Sequence, residues 1–195
     1  EVAFLVDGVT KISKLAAQGS EDRQAENFRK MILAMSSDIR VILIKLADRV
    51  NNMRTLQYVP SDKQQRIAEE TLSIYAPLAN RLGLFLIKRE LEDLSLKYLH
   101  GTVYHEIERN LVATADQRER YVQEVVGIIR EKLQQFGVEA AITGRPKHVY
   151  SIYTKMLKQN LNFNQIYDLM AFRIIVGTRQ ECYEVLGIIH SLWKP

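Results

Sequence analysis

Ahead of Gly137 the chain keeps a helical rhythm, and beyond it that rhythm gives way to short runs of mixed type. Ile39, Ile42, Leu46, Val50 and Met53 return every three or four residues, which lines them along one helix face toward a core. Leu84, Ile87, Leu91 and Leu94 repeat the pattern. Helices are therefore expected over 22–36, 38–56, 63–78, from Leu84 to a break at Gly101, over 102–112, and over 116–136. Pro60 ends one of them, SDKQ supplies the next N-cap, and Gly137 takes the position favoured for a C-terminal cap. After it VEAAIT reads as a strand, 147–158 as a helix, 169–176 as a second strand and 179–192 as an apolar-striped helix. An all-helical part followed by a mixed α and β part makes an α+β chain, its two domains meeting near residues 100–115.

A length of 195 residues fits one large domain or two modest ones. The 47% hydrophobic and 26% charged content is that of an ordinary soluble globular protein. Net charge is only +4, so basic character must be local. That disfavours a general DNA-coating protein and favours a discrete anionic ligand. The single cysteine, Cys182, excludes an internal disulfide and suits a reducing compartment. No uninterrupted apolar run is long enough to cross a membrane and no signal peptide opens the chain, so a cytoplasmic location is expected. The opening EVAFLVDGVTK and the closing LWKP read as cut edges of a longer polypeptide.

Between Glu139 and Asp168 no acid occurs, while Arg145, Lys147, Lys155 and Lys158 do, joined by His148. Within GRPKHVYSIYTK, Gly144 permits a tight turn and Pro146 suits the first position of a helix. Lys147, Ser151 and Lys155 then fall at i, i+4 and i+8, on one face of that helix. A helix N-terminus attracts anions, and two ammonium groups with a hydroxyl along one face extend the site toward a polyphosphate. Asp168 opens the apolar run LMAFRIIV, where it can meet a metal ion. Five residues separate it from Arg173, which a regular strand would turn to the opposite face, so Asp168 is expected in the loop before the strand. His148 serves equally well as a cap or packing residue, and Tyr150 and Tyr153 read as core or rim.

A second constellation lies in KLADRVNNMRT, where Asp48, Asn52 and Thr55 are spaced i, i+4 and i+7 on one helix face. A carboxylate, an amide and a hydroxyl in a row can bind a hard metal and part of a nucleotide. The plainer alternative is an exposed Asp48 paired with Lys45 or Arg49.

The run GRPKHVYSIYTKM, followed by IYDLMAFRIIV and HSLWKP, resembles the synthetase domain of the RelA/SpoT homologue family, enzymes that make and destroy (p)ppGpp. DGVTKISKL and DIRVILIKLADRVNNMRTL resemble the end of the family's HD-type hydrolase domain; RIAEETLSIYAPLANRLGL and KRELEDLSLKYL resemble its linking helices. The resemblance implies three parts: the end of the hydrolase domain over 1–62, linking helices over 63–112, and the start of a nucleotidyltransferase-like synthetase domain over 113–195. It implies pyrophosphate transfer from ATP to the 3′-hydroxyl of GDP or GTP with magnesium, and manganese-dependent removal of the 3′-pyrophosphate. On the hydrolase side it assigns Asp48 to the metal and Asn52 and Thr55 to the nucleotide. On the synthetase side Arg145 would flank adenine, and Lys147, Ser151 and Lys155, with His148 beside them, would hold ATP. Asp168 would bind magnesium, and Arg173 would neutralise charge on the transferred group. A ribosome contact belongs to the full-length protein; neither membrane nor DNA is implied.

The chain also departs from the family pattern. None of His100, His105, His148 and His190 is followed by Asp, so the defining His-Asp pair is absent and is expected upstream of Glu1. The second metal-binding Glu and the guanine-binding residues are expected after WKP, so the chain is expected to lack full activity at either site. A competing reading is a non-catalytic nucleotide- or RNA-binding regulatory module. A template-independent nucleotidyltransferase would share the cationic helix and the Asp but would leave KLADRVNNMRT unexplained.

Overall fold

The computed structural model describes residues 38–194; the expected helix over 22–36 and the DGVTKISKL run lie outside the described residues. The chain is mostly helical with one small antiparallel sheet, and it forms two compact units that part between Tyr104 and His105.

In the first unit, α1 (Ile39–Arg54) is capped by Asp38, whose carboxylate accepts from the Arg40 amide at 2.9 Å. Its inner face carries Val41, Ile42, Leu46, Val50 and Met53 into the core. Ile39, expected on that face, is 58% exposed, because Val41 takes the inward place in the first turn. A 3₁₀ turn (Leu56–Tyr58) leads to Pro60, and α2 (Ser61–Glu70) begins at Ser61. Pro60, not a side chain of SDKQ, is the capping residue; its carbonyl accepts from the Lys63 and Gln64 amides at 3.0 Å. The expected single helix over 63–78 runs on to Arg81, interrupted by a π-helical turn (Thr71–Tyr75) before α3 (Ala76–Arg81). Pro77 supplies the reason: it has no N–H to donate, and the widened turn accommodates the break in the ladder. Gly83, at φ +73, closes this stretch, and α4 (Phe85–Leu99) follows with Leu91 fully buried. Gly101 does not end α4. The break falls at His100, and Gly101 is the first residue of α5 (Gly101–Ala113).

In the second unit, α6 (Ala115–Gln135) ends at Gly137, whose φ of +72 suits the left-handed turn past a helix. β1 (Ala141–Pro146) pairs antiparallel with β2 (Met170–Ile175), in a register that sets Thr143 opposite Arg173 and Arg145 opposite Ala171. One sheet face, with Ile142, Phe172 and Ile174, packs on Val125, Ile129 and Leu133 of α6 and on Val185 and Ile188 of α8 (Arg179–Leu192). A Thr178–Glu181 capping box starts α8, each side chain meeting the other residue's amide.

The strand lies later than the expected 138–143, and this overturns the reading of Gly144 and Pro146 as a turn and a helix start. Gly144 continues the strand because α6 crosses it closely: a Cβ there would collide with Val122 Cγ1. Pro146 closes the strand opposite Met170, at an end where its lack of an N–H is tolerated. The following helix, α7, accordingly spans Val149–Gln159, and Lys147 lies before it, not on its face.

Candidate functional site

β1 delivers Arg145 to the sheet face turned away from α6, and the chain then leaves the strand gradually. The Lys147 amide donates to the Leu169 carbonyl at 2.8 Å, extending the pairing one step beyond the sheet. Lys147 is thereby set across from Asp168, which lies in the loop before β2. His148, extended at φ −80 and ψ 160, serves as the N-cap of α7. Its carbonyl accepts from the Ser151 amide at 3.1 Å and from Ser151 Oγ at 2.8 Å, which fixes that hydroxyl at the first turn. Along α7, Ser151, Thr154, Lys155 and Lys158 follow at helical spacing on one side.

These elements enclose a cavity of about 430 Å³ bordered by Arg145, Lys147, His148, Ser151, Lys155 and Asp168. Its size falls in the range of small-molecule sites, roughly 300–1,000 Å³. Lys147 Nζ and Lys155 Nζ each donate to one oxygen of the Asp168 carboxylate. Lys147 is not on the helix, so its ammonium meets that of Lys155 at Asp168 through the pairing of Lys147 with Leu169 and not through helical spacing. Partial burial works to raise the Asp168 pKa, but the hydrogen bonds and charges of the two lysines outweigh it and hold the carboxyl below its ordinary value. Arg145 and Lys158 make no ion pair among the described residues. Arg173 does not border the cavity; the register puts it on the face of Arg145, two residues along, or about 7 Å.

The Asp48 face is arranged differently. Asp48 Oδ2 accepts from Lys45 Nζ at 2.8 Å and Oδ1 from Asn52 Nδ2 at 3.3 Å, while Thr55 Oγ1 turns back to the Asn51 carbonyl at 3.0 Å. The three residues share a face, but their polar groups are engaged with their own helix, and Lys45 is the partner the plainer alternative named. The stronger cluster lies one residue away and turns inward. Arg49 pairs with Glu70 at 2.8 Å, donates to Thr71 Oγ1 at 3.4 Å, and stacks 4.0 Å from the centroid of the Tyr75 ring. Burial is the main cause raising the Tyr75 pKa, against the opposing charge of Arg49. Sequence spacing missed this cluster, because Glu70, Thr71 and Tyr75 sit 21 to 26 positions from Arg49; an Arg inside an apolar helix stripe was the available signal.

Among the described residues, no group of three or more His, Cys, Asp or Glu side chains is placed to hold a metal ion. Asp168, with its side chain 45% exposed beside the cavity, fits an ion that brings phosphate oxygens as its other ligands. Asp48 is a single carboxylate flanked by an ammonium and an amide. The described residues around it do not fit a transition-metal centre, which needs about three protein ligands.

Known proteins place these two regions in one context. Residues 1–85 match the HD domain, and residues 144–195 match the region found in RelA/SpoT proteins. The whole chain is 54% identical to a GTP pyrophosphokinase of Myxococcus xanthus, of which it covers 26%. It is 50% identical to the bifunctional (p)ppGpp synthase/hydrolase SpoT of Escherichia coli strain K12, covering 28% of it. A probable guanosine-3′,5′-bis(diphosphate) 3′-pyrophosphohydrolase of Synechocystis is likewise 50% identical over the whole chain, with 26% of its length covered. The chain belongs to the RelA/SpoT homologue family. It spans about a quarter of the length of these RelA/SpoT relatives. The Asp48 helix falls in the HD match and the cationic cavity in the RelA/SpoT match. No helix among the described residues is long and apolar enough to cross a membrane.

Proposed function

We propose that this chain carries the ATP-binding part of a (p)ppGpp synthetase site and the last helix of a 3′-pyrophosphohydrolase site, in a cytoplasmic enzyme of the stringent response. On this reading 1–62 ends an HD-type hydrolase domain, 63–112 links the sites, and 113–195 begins a nucleotidyltransferase-like domain. The observation that carries it is the convergence of Arg145, Lys147, Ser151, Lys155 and Asp168 on one cavity. Arg145, planar and uncommitted, stacks on the adenine of ATP. Lys147, Lys155 and the first turn of α7 hold the phosphates, with His148 at the helix start. Magnesium on Asp168 and the phosphate oxygens would neutralise charge as pyrophosphate passes to the 3′-hydroxyl of GDP or GTP. Arg173 acts on the transferred group only if the bound chain of phosphates extends along the sheet face. By the family pattern Asp48 would supply one ligand to the hydrolase's manganese, with ligands beyond the described residues completing the set, and Asn52 and Thr55 would leave their contacts within the helix to reach the nucleotide. Among the described residues each site offers one candidate metal-binding carboxylate, and this chain alone is expected to lack full activity at either site.

The assay uses the full-length protein and follows two reactions: labelled pyrophosphate transfer from ATP to GDP or GTP, and release of 3′-pyrophosphate from (p)ppGpp. Asp168→Asn is expected to lower transfer by about a hundredfold or more while sparing release. Asp48→Asn is expected to do the reverse. Transfer that survives Asp168→Asn within about twofold would sink the assignment. An RNA-binding module would instead bind single-stranded RNA by the same cations and show neither reaction.

A further inference from the structure

Asp168, the one acid bordering the cavity among the described residues, is held from both sides. Each of its oxygens accepts from a different lysine, Lys147 arriving from the end of β1 and Lys155 from the second turn of α7. The two lysine side chains are themselves only about a third exposed, at 31% and 30%. A divalent cation approaching this carboxylate meets two positive charges first. A polyphosphate meets the opposite field: Arg145 and Lys158 border the same cavity with no ion pair among the described residues.

We propose that the Lys147–Asp168–Lys155 clasp is an interlock that orders binding, in which a polyphosphate chain must draw the two lysines off Asp168 before that carboxylate can take a divalent ion. Lys158 makes the first contact, with the charge of Arg145 adding to the attraction. The phosphate oxygens then compete for Lys147 and Lys155, and the released carboxylate faces an ion already ligated by phosphate. Asp168 thus opposes polyphosphate binding without metal and supports it with metal. This rests on the reading of the cavity as a phosphate site and adds the reciprocal coupling between anion and cation there.

The test is calorimetric titration of this chain with inorganic tripolyphosphate, with and without magnesium, at fixed ionic strength. Asp168→Asn is expected to tighten metal-free tripolyphosphate binding about three- to tenfold, because two half-exposed ion pairs no longer have to break. The same variant loses the gain that magnesium gives the wild type. Placing Asp168→Asn in a Lys155→Gln background separates the clasp from a general loss of negative charge. With half the clasp gone the tightening shrinks to about twofold or less, whereas a diffuse charge effect would keep it whole. Thermal unfolding monitored by circular dichroism checks that each variant folds. If Asp168→Asn leaves metal-free binding unchanged while wild type still binds magnesium–ATP, the interlock is wrong and the phosphate site stands. If folded wild type binds neither tripolyphosphate nor magnesium–ATP, both fall together.

Discussion

The two acids at the centre of this molecule, Asp168 and Asp48, look alike in sequence and differ in how the fold uses them. Asp168 is met by side chains from the end of a strand and from a helix, and the three enclose a cavity. Asp48 is met by Lys45 and Asn52 from its own helix, on an exposed face. Convergence of separate elements makes a concave pocket; neighbours one helical turn apart make only a decorated surface. Next to Asp48 the fold turns a buried polar cluster inward, where Arg49 ties α1 to Glu70 and the π turn.

That contrast can be broken by substitution. Arg49→Met should cost the most, about 2–4 kcal/mol, since it leaves Glu70 partly buried and unpaired. Urea denaturation of the chain measures it, and a cost below about 1 kcal/mol would show that the inward cluster is incidental. Gly144→Ala should cost about 1–3 kcal/mol, because Val122 and α6 must move off the strand that presents Arg145. The same experiment should show weakened ATP binding if strand and cavity are coupled as described. Asp48→Asn should change stability by less than about 0.5 kcal/mol, as removal of an exposed pair does. Tyr75→Phe should be smallest of all, within about 0.5 kcal/mol or slightly stabilising, because the buried hydroxyl makes no hydrogen bond of good geometry among the described residues. A loss above about 1.5 kcal/mol would mean that hydroxyl is paired in solution.

Much of the helical part is legible in sequence because apolar spacing and helix-ending residues act locally. The final helix over 179–192 and the end of α6 before Gly137 are direct products of such signals. What local signals misplace is decided by tertiary contact. Gly144 looks like a turn residue until α6 is seen to cross it, and Pro146 looks like a helix start until it is found closing a strand edge. Shifting the strand by three residues took Lys147 off the helix, yet it still reaches Asp168, because the pairing of Lys147 with Leu169 brings the two segments together. The segment's cationic character was readable from its run of cations without acids; its geometry needed the partner strand. Arg49, Glu70 and Tyr75 were not readable as a cluster, since no periodicity links residues on different helices.

The most direct test of the contrast is calorimetric binding of ATP with magnesium to this chain, comparing wild type with Arg145→Ala and Asp48→Ala. Saturable binding weakened about tenfold or more by Arg145→Ala, and unchanged by Asp48→Ala, is the expected result. Equal effects from both substitutions, or no binding by the folded wild type, would contradict the assignment of the cavity as the nucleotide site.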